Sequence, residues 1–249
     1  MNGVELSLYL TAYQNDYKRF MGIDKFPLFD VQTKQVSLVT ADARGYDSAA
    51  MSHYIPKTKK HILTFSSNVD LHKQLVYHEF THMIDAELYA CGNSLRYAML
   101  SGYTEYHASQ VELMKLLGAK TVDEKISFSM STIIDTVTGK KSVSQYIEEK
   151  RLHAVELFSR QDFPADLAML KSAVGVLYNY FGLRSICVMY ATDYTEKIDN
   201  AAFLNHISVL QFAPVNRHMY GWLNKDNIET SMKMYWGIMC SLMKENKLI

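Results

Sequence analysis

His78 and His82 stand four residues apart in Tyr77-His78-Glu79-Phe80-Thr81-His82-Met83-Ile84-Asp85, with Glu79 directly after the first of them. On a helix, positions i and i+4 share one face, so both imidazoles can reach a single metal ion. Glu79 lies about 100° further round, off the ligand row but within reach of a water bound to that metal. Two histidines and one further carboxylate leave the fourth position of tetrahedral Zn2+ open to water, the arrangement of a catalytic rather than a structural zinc site. Zinc lowers the pKa of such a water to about 7, polarises a scissile carbonyl and holds the developing oxyanion. Glu79 can take the water's proton and hand it to a leaving amine. The chemistry prepared by this spacing is metal-assisted hydrolysis of an amide.

The further carboxylate is expected from the stretch that begins Ser101-Gly102-Tyr103-Thr104-Glu105 and runs to a stop at Gly118. Glu105, Ala108, Ser109 and Glu112 share one helical face there, and the small residues permit close approach of a neighbouring helix. From His82 the first helix descends about eight residues, or about 12 Å, before Gly92-Asn93 turns the chain. A second helix starting at residues 94–97 brings Glu105 back level with His82. Glu105 is therefore the expected third ligand, with Glu112 a substitute in another register. Gly102 leaves a second possibility, a helix that starts only at Tyr103.

The histidine helix is predicted over 69–90, stopped by Cys91-Gly92-Asn93. Strands at 51–55 and 61–65, joined by residues 56–60, form a hairpin that feeds it. Ahead of the hairpin, the spacing of Leu6, Leu10, Tyr13, Tyr17 and Phe20 predicts a helix over 4–20, then a connection to residue 33 and a strand at 35–39. After Gly118, residues 126–134 read as a strand or lid. The Ser142-x-x-Gln145 capping box opens a helix to about residue 158, and further helices are expected over 162–181, ending at Gly182, and over 227–244. The fold class is α+β: a small, mostly antiparallel sheet packed on the histidine helix, then a mostly helical C-terminal half. Residues 1–120 form the metal-binding core, and 121–249 pack on it as one compact unit.

The 61–65 strand, the His78-Glu79-x-x-His82 helix and the downstream helix with Glu105-x-x-Ala108-Ser109 resemble the core of the gluzincin branch of the zincin metallopeptidases, over roughly residues 45–117. The compact ImmA/IrrE-like peptidases share such a short mixed core. The resemblance implies zinc on His78, His82 and Glu105, Glu79 as general base, and a peptide or protein substrate. It also implies that the strand before the metal helix, His61, Ile62, Leu63, Thr64 and Phe65, pairs with the extended substrate through its backbone. The pattern departs from the metzincins: Leu88 falls where their third ligand would stand, and Asp85 replaces their glycine. Asp85 can then be a ligand or an acceptor that orients an imidazole. The second role is expected, because from one turn beyond His82 it can bond a neighbour without displacing Glu105.

Composition narrows the alternatives. Lys and Arg number 26 against 26 Asp and Glu, with no block of like charge longer than 57–60, so no nucleic-acid footprint exists. The most apolar runs, 172–183 and 234–243, fall short of the roughly 20 residues that span a membrane. The start lacks the basic region of a secretion signal, and the three widely spaced cysteines suit a reducing compartment, so a cytoplasmic location is expected. No nucleophile elbow or phosphate loop occurs. Tyr103, His107, His153, His206, His218 and Tyr220 are chemically eligible to help an oxyanion, and none is singled out. The alternative is a non-catalytic protein that keeps the metal scaffold and binds a partner with its helical half. Oligomeric state is not legible.

Overall fold

Tyr17 and Phe20, from the buried stripe of the first helix, meet Tyr77 and Phe80 edge to face, so α1 (Gly3–Met21) packs directly on the histidine helix α2 (Lys73–Asp85). Tyr17 also donates its hydroxyl hydrogen to Thr81 Oγ1 at 3.0 Å. These contacts are part of a computed structural model that describes residues 3–35, 50–67, 71–196 and 199–248. Its α+β architecture has small sheets and a mostly helical C-terminal half.

Three strands, β1 (Phe29–Lys34), β2 (Ala50–Ile55) and β3 (Lys60–Ser66), form one sheet in the order β1-β3-β2. β1 runs parallel to β3 with Phe29 opposite His61, and β2 runs antiparallel to β3 with Ser52 opposite Leu63. The hairpin therefore forms where turn and strand signals placed it. The first strand does not: β1 occupies the stretch read as a connection, because Phe29 packs on Phe26 and Phe80 and draws this segment against β3. Of the strand expected at 35–39, Gln35 lies outside β1 and the rest lies outside the described residues.

α2 begins later than expected and passes into a π-helical turn, Ala86–Ala90, before Cys91 and Gly92 stop it at positive φ. α3 (Ser94–Leu116) then runs back, capped by the Asn93 side chain on the Arg96 N–H, and continues unbroken through Gly102. A Cβ at Gly102 would collide with the Tyr235 ring and lie 2.8 Å from Tyr178 Cε1, so this glycine makes room for two aromatic neighbours rather than starting a helix.

The hairpin β4 (Ile133–Thr136) and β5 (Gly139–Ser142) precedes α4 (Val143–Phe158), which starts with the expected capping box of Ser142 and Gln145. Residues 126–132 hold no strand; Phe128 makes an isolated bridge to Ala191. α5 (Leu167–Tyr190) does not end at Gly182. A Cβ there would overlap the Tyr106 carbonyl oxygen and lie 2.9 Å from Ser109 Cβ, so Gly182 is the crossing point of α5 on α3. After α6 (Ala201–Leu204) and α7 (Val209–His218), α8 (Lys225–Glu245) closes on α3 and α5. α3 thus packs on α2 and on both long C-terminal helices, and joins the two halves of the chain. Among the described residues no helix is long and apolar enough to cross a membrane.

Gly182→Ala is expected to destabilise the protein by about 1–3 kcal/mol through overpacking at this crossing. Gly237→Ala, on an exposed face of α8 with nothing near its added Cβ, is expected to stabilise by about 0.5–1 kcal/mol. Urea unfolding midpoints compare the two.

Candidate metal centre

The π turn and the Gly92 reversal bring α3 back alongside α2, and the Glu105 carboxylate arrives level with both histidines. The two imidazole centroids are 4.8 Å apart with the rings at 76°. Glu105 Oε2 lies 3.5 Å from His78 Nε2 and 3.7 Å from His82 Nε2. Glu79 approaches the pair as well: one ligand atom from each of His78, Glu79 and His82 lies within 4.8 Å of the others, a spacing suited to holding a metal ion. Two carboxylates therefore flank the imidazole pair, and they differ in their other bonds. Glu79 Oε2 accepts the backbone N–H of Ser52 at 2.6 Å, whereas the Glu105 oxygen faces the two Nε2 atoms.

Each histidine is turned by a partner on its far nitrogen. Thr104 donates its one hydroxyl hydrogen to Asp85 Oδ2 at 2.9 Å, so towards His82 Nδ1, 2.8 Å away, it acts as acceptor. The hydrogen of His82 is thereby kept on Nδ1, and Nε2 is left to face Glu105. His78 Nδ1 donates to Glu112 Oε2 at 3.0 Å, and Glu112 Oε1 accepts the Tyr146 hydroxyl at 2.5 Å. With their Nδ1 atoms engaged, both imidazoles direct Nε2 to one side of α2, the arrangement that metal-binding histidines need once Nε2 is free of its proton. Asp85 thus reaches His82 through Thr104, and contacts His107 directly at 3.0 and 3.1 Å. Glu112 sits behind His78 rather than at the convergence point.

The charges are coupled. Burial opposes a proton on His78, but hydrogen bonds to Glu105 and Glu112 outweigh it and raise its pKa to about 10. Burial likewise opposes ionisation of Glu105, yet the charge of His82, the hydrogen bond and charge of His78 and the hydrogen bond of Asn179 lower it to about 2. A metal ion entering this cluster takes the place of the proton that the carboxylates otherwise hold on His78.

The centre lies in a cleft of about 620 Å³ that is built from both halves of the chain. β2 forms one rim through Ala50, Met51 and Ser52, and the 136–138 turn of the β4–β5 hairpin, α4 and α5 supply the rest. From α5, Asn179 accepts the Ser109 hydroxyl at 2.8 Å and hydrogen-bonds Glu105, while Gly175 lies over the Glu105 side chain.

The strand expected to receive substrate is misplaced by the sequence reading. β3 is the middle strand, paired along its length with β1 and β2, and His61, Ile62, Leu63, Thr64 and Phe65 do not line the cleft. His61 is buried and bonded to Glu87 at 2.9 Å, and Leu63 and Phe65 belong to the core. The edge beside the centre is β2. Of the eligible oxyanion helpers, only His153 lines the cleft. Tyr103 stacks on His107 behind Asp85, His206 packs on Phe158 and Phe163, His218 bonds the Asn227 carbonyl, and Tyr220 bonds Glu196. Sequence reasoning missed Ser52, Thr104, Tyr146 and Asn179. Thr104 alone had a local signal, a hydroxyl next to the expected ligand; the others arrive through long-range packing. No protein family, no characterised protein and no solved structure matches the chain.

Thr104→Val keeps the side-chain shape and removes the hydroxyl that aligns His82. Metal affinity, read by competition with a chromophoric chelator, is expected to fall about 10- to 100-fold, and Thr104→Ser is expected to restore it.

Proposed function

We propose that the chain is a zinc-dependent metallopeptidase that acts on peptide or protein substrates. The observation that carries this reading is the convergence of His78 Nε2, His82 Nε2 and the Glu105 carboxylate in an open cleft, with a second carboxylate, Glu79, beside them. Two imidazoles and one carboxylate suit Zn2+, so His78, His82 and Glu105 would hold the ion. When bound, zinc supplies Lewis acidity and a water with a pKa of about 7.

The chain's own groups divide the remaining work. Ser52 N–H anchors Glu79 Oε2, which fixes the carboxylate and leaves Oε1 to accept a proton from the attacking water and deliver it to the leaving amine. Glu112 and Thr104, through the far nitrogens of the two histidines, hold the ligands in place before substrate arrives. An extended substrate takes its place against β2, in place of the β3 role expected from sequence. On β2 the Ser52 and Tyr54 N–H groups point away from β3 and are already taken by Glu79 and the Tyr97 hydroxyl, so the substrate is placed along the cleft-lining residues Ala50, Met51 and Ser52 rather than on those two donors.

Glu79→Gln is expected to keep its zinc and lose about 10²- to 10⁴-fold in kcat/KM, the usual worth of a general base. His82→Ala and Glu105→Ala are expected to lose the metal itself, measured by elemental analysis of untagged protein. A zinc-loaded Glu79→Gln protein with undiminished hydrolysis would sink the proposal.

A further inference from the structure

The cleft wall facing β2 comes from α4 and α5, joined through residues 159–166 and packed side by side. On α4 the cleft-lining residues are Tyr146, Glu149, Lys150 and His153, and on α5 they include Lys171, Ser172, Gly175 and Asn179, in each case one helical stripe. Tyr146 and Asn179 mark the end nearest the metal centre, because they bond Glu112 and Glu105. Lys150 is four residues beyond Tyr146, and Lys171 is eight residues from Asn179 along α5. At 1.5 Å per residue the two ammonium-bearing positions lie about 6–12 Å along the wall from that end.

Three acids of the cleft, Glu79, Glu105 and Glu112, gather at its metal end, and the two lysines lie beyond them. Glu149, the acidic residue of this wall, is paired with Lys141 at 2.5 Å. Neither Lys150 nor Lys171 has a carboxylate within ion-pair distance among the described residues, and Lys171 is exposed. Lys150 lies 5.8 Å from the Tyr146 ring centroid, and its charge also acts on Glu112 at the metal end of the cleft without forming an ion pair with it. Burial and the Lys150 charge together hold His153, further along the wall, below the usual histidine range.

We propose that Lys150 and Lys171 form an anion-recognising subsite and that the substrate is a peptide carrying a carboxylate about two to four residues from the scissile bond, at about 3.3 Å per extended residue. The carboxylate is either an Asp or Glu side chain or the chain's C-terminus. The proposal rests on the peptidase reading for its substrate class, but the subsite can be read without turnover.

Zinc-loaded protein is assayed on a neutral quenched-fluorescent peptide, on versions with Glu at each of four positions on either side of the cleaved bond, and on free-acid and amide ends. Binding of the same peptides to zinc-loaded Glu79→Gln is measured by fluorescence anisotropy. The expected result is an acidic-over-neutral preference of about tenfold or more in both assays, which falls towards one in Lys150→Gln/Lys171→Gln and turns towards a Lys-containing peptide in Lys171→Glu. Preference for Glu in an amidated peptide assigns the side-chain source, and preference for a neutral free acid assigns the terminus. Charge-selective binding without hydrolysis removes the peptidase reading and keeps the subsite. Equal affinity for acidic and neutral peptides, no binding of either, or a preference that survives both lysine substitutions overturns the subsite.

Discussion

Carboxylates and imidazoles can be taken out of water together only if each charge finds a partner, and this constraint governs how α2 and α3 meet. Asp85 is wholly buried and Glu79 is 5 % exposed, yet each accepts hydrogen bonds, from Thr104 and His107 in one case and from the Ser52 backbone in the other. Glu112 is shared by His78 and Tyr146, and Glu105 lies between two Nε2 atoms. Removing any one member leaves a charge without its partner, which costs far more than the pair itself contributes. The rotation and height of α3 relative to α2 are therefore set by polar pairing as much as by apolar packing.

The remaining elements hold that alignment from outside. Behind α2, the aromatic contacts of Tyr17, Phe20, Phe26 and Phe29 with Tyr77 and Phe80 fix its depth and rotation. On the far side of α3, Gly102 and Gly182 allow aromatic rings and a helix backbone to come closer than any side chain would permit. That close approach is what carries α5 to the centre, where Asn179 reaches Glu105. The helical half is consequently part of the cleft, and the candidate metal centre, its supporting hydrogen bonds and the lysine-bearing stretch of the wall line one cleft.

The same packing explains which sequence expectations failed. A glycine inside a helical pattern reads as a break when only local propensity is considered, so α5 was expected to end at Gly182. Against a neighbouring helix it is the residue that allows contact, and the helix continues. β1 was misjudged for a related reason: its strand character comes from partners on β3 and from Phe29 packing, neither of which is local.

What the sequence determined by itself is whatever depends on near neighbours. The i, i+4 spacing of His78 and His82 places two imidazoles on one helical face, the Ser142 and Gln145 capping box starts α4, and the 56–60 turn folds β2 onto β3. Helix length and the Gly92 reversal sufficed to bring Glu105 level with the histidines. Tertiary structure alone decided which strand lies at the edge, since sheet order depends on where β1 inserts. It alone decided that Glu112, eligible as a ligand by helical register, stands behind His78, and that Asp85 acts through a threonine hydroxyl. It also brought Ser52, Tyr146 and Asn179 to the centre from three separate elements. Hydrogen-bond direction and the order of strands are properties of assembled neighbours, and no spacing along one chain encodes them.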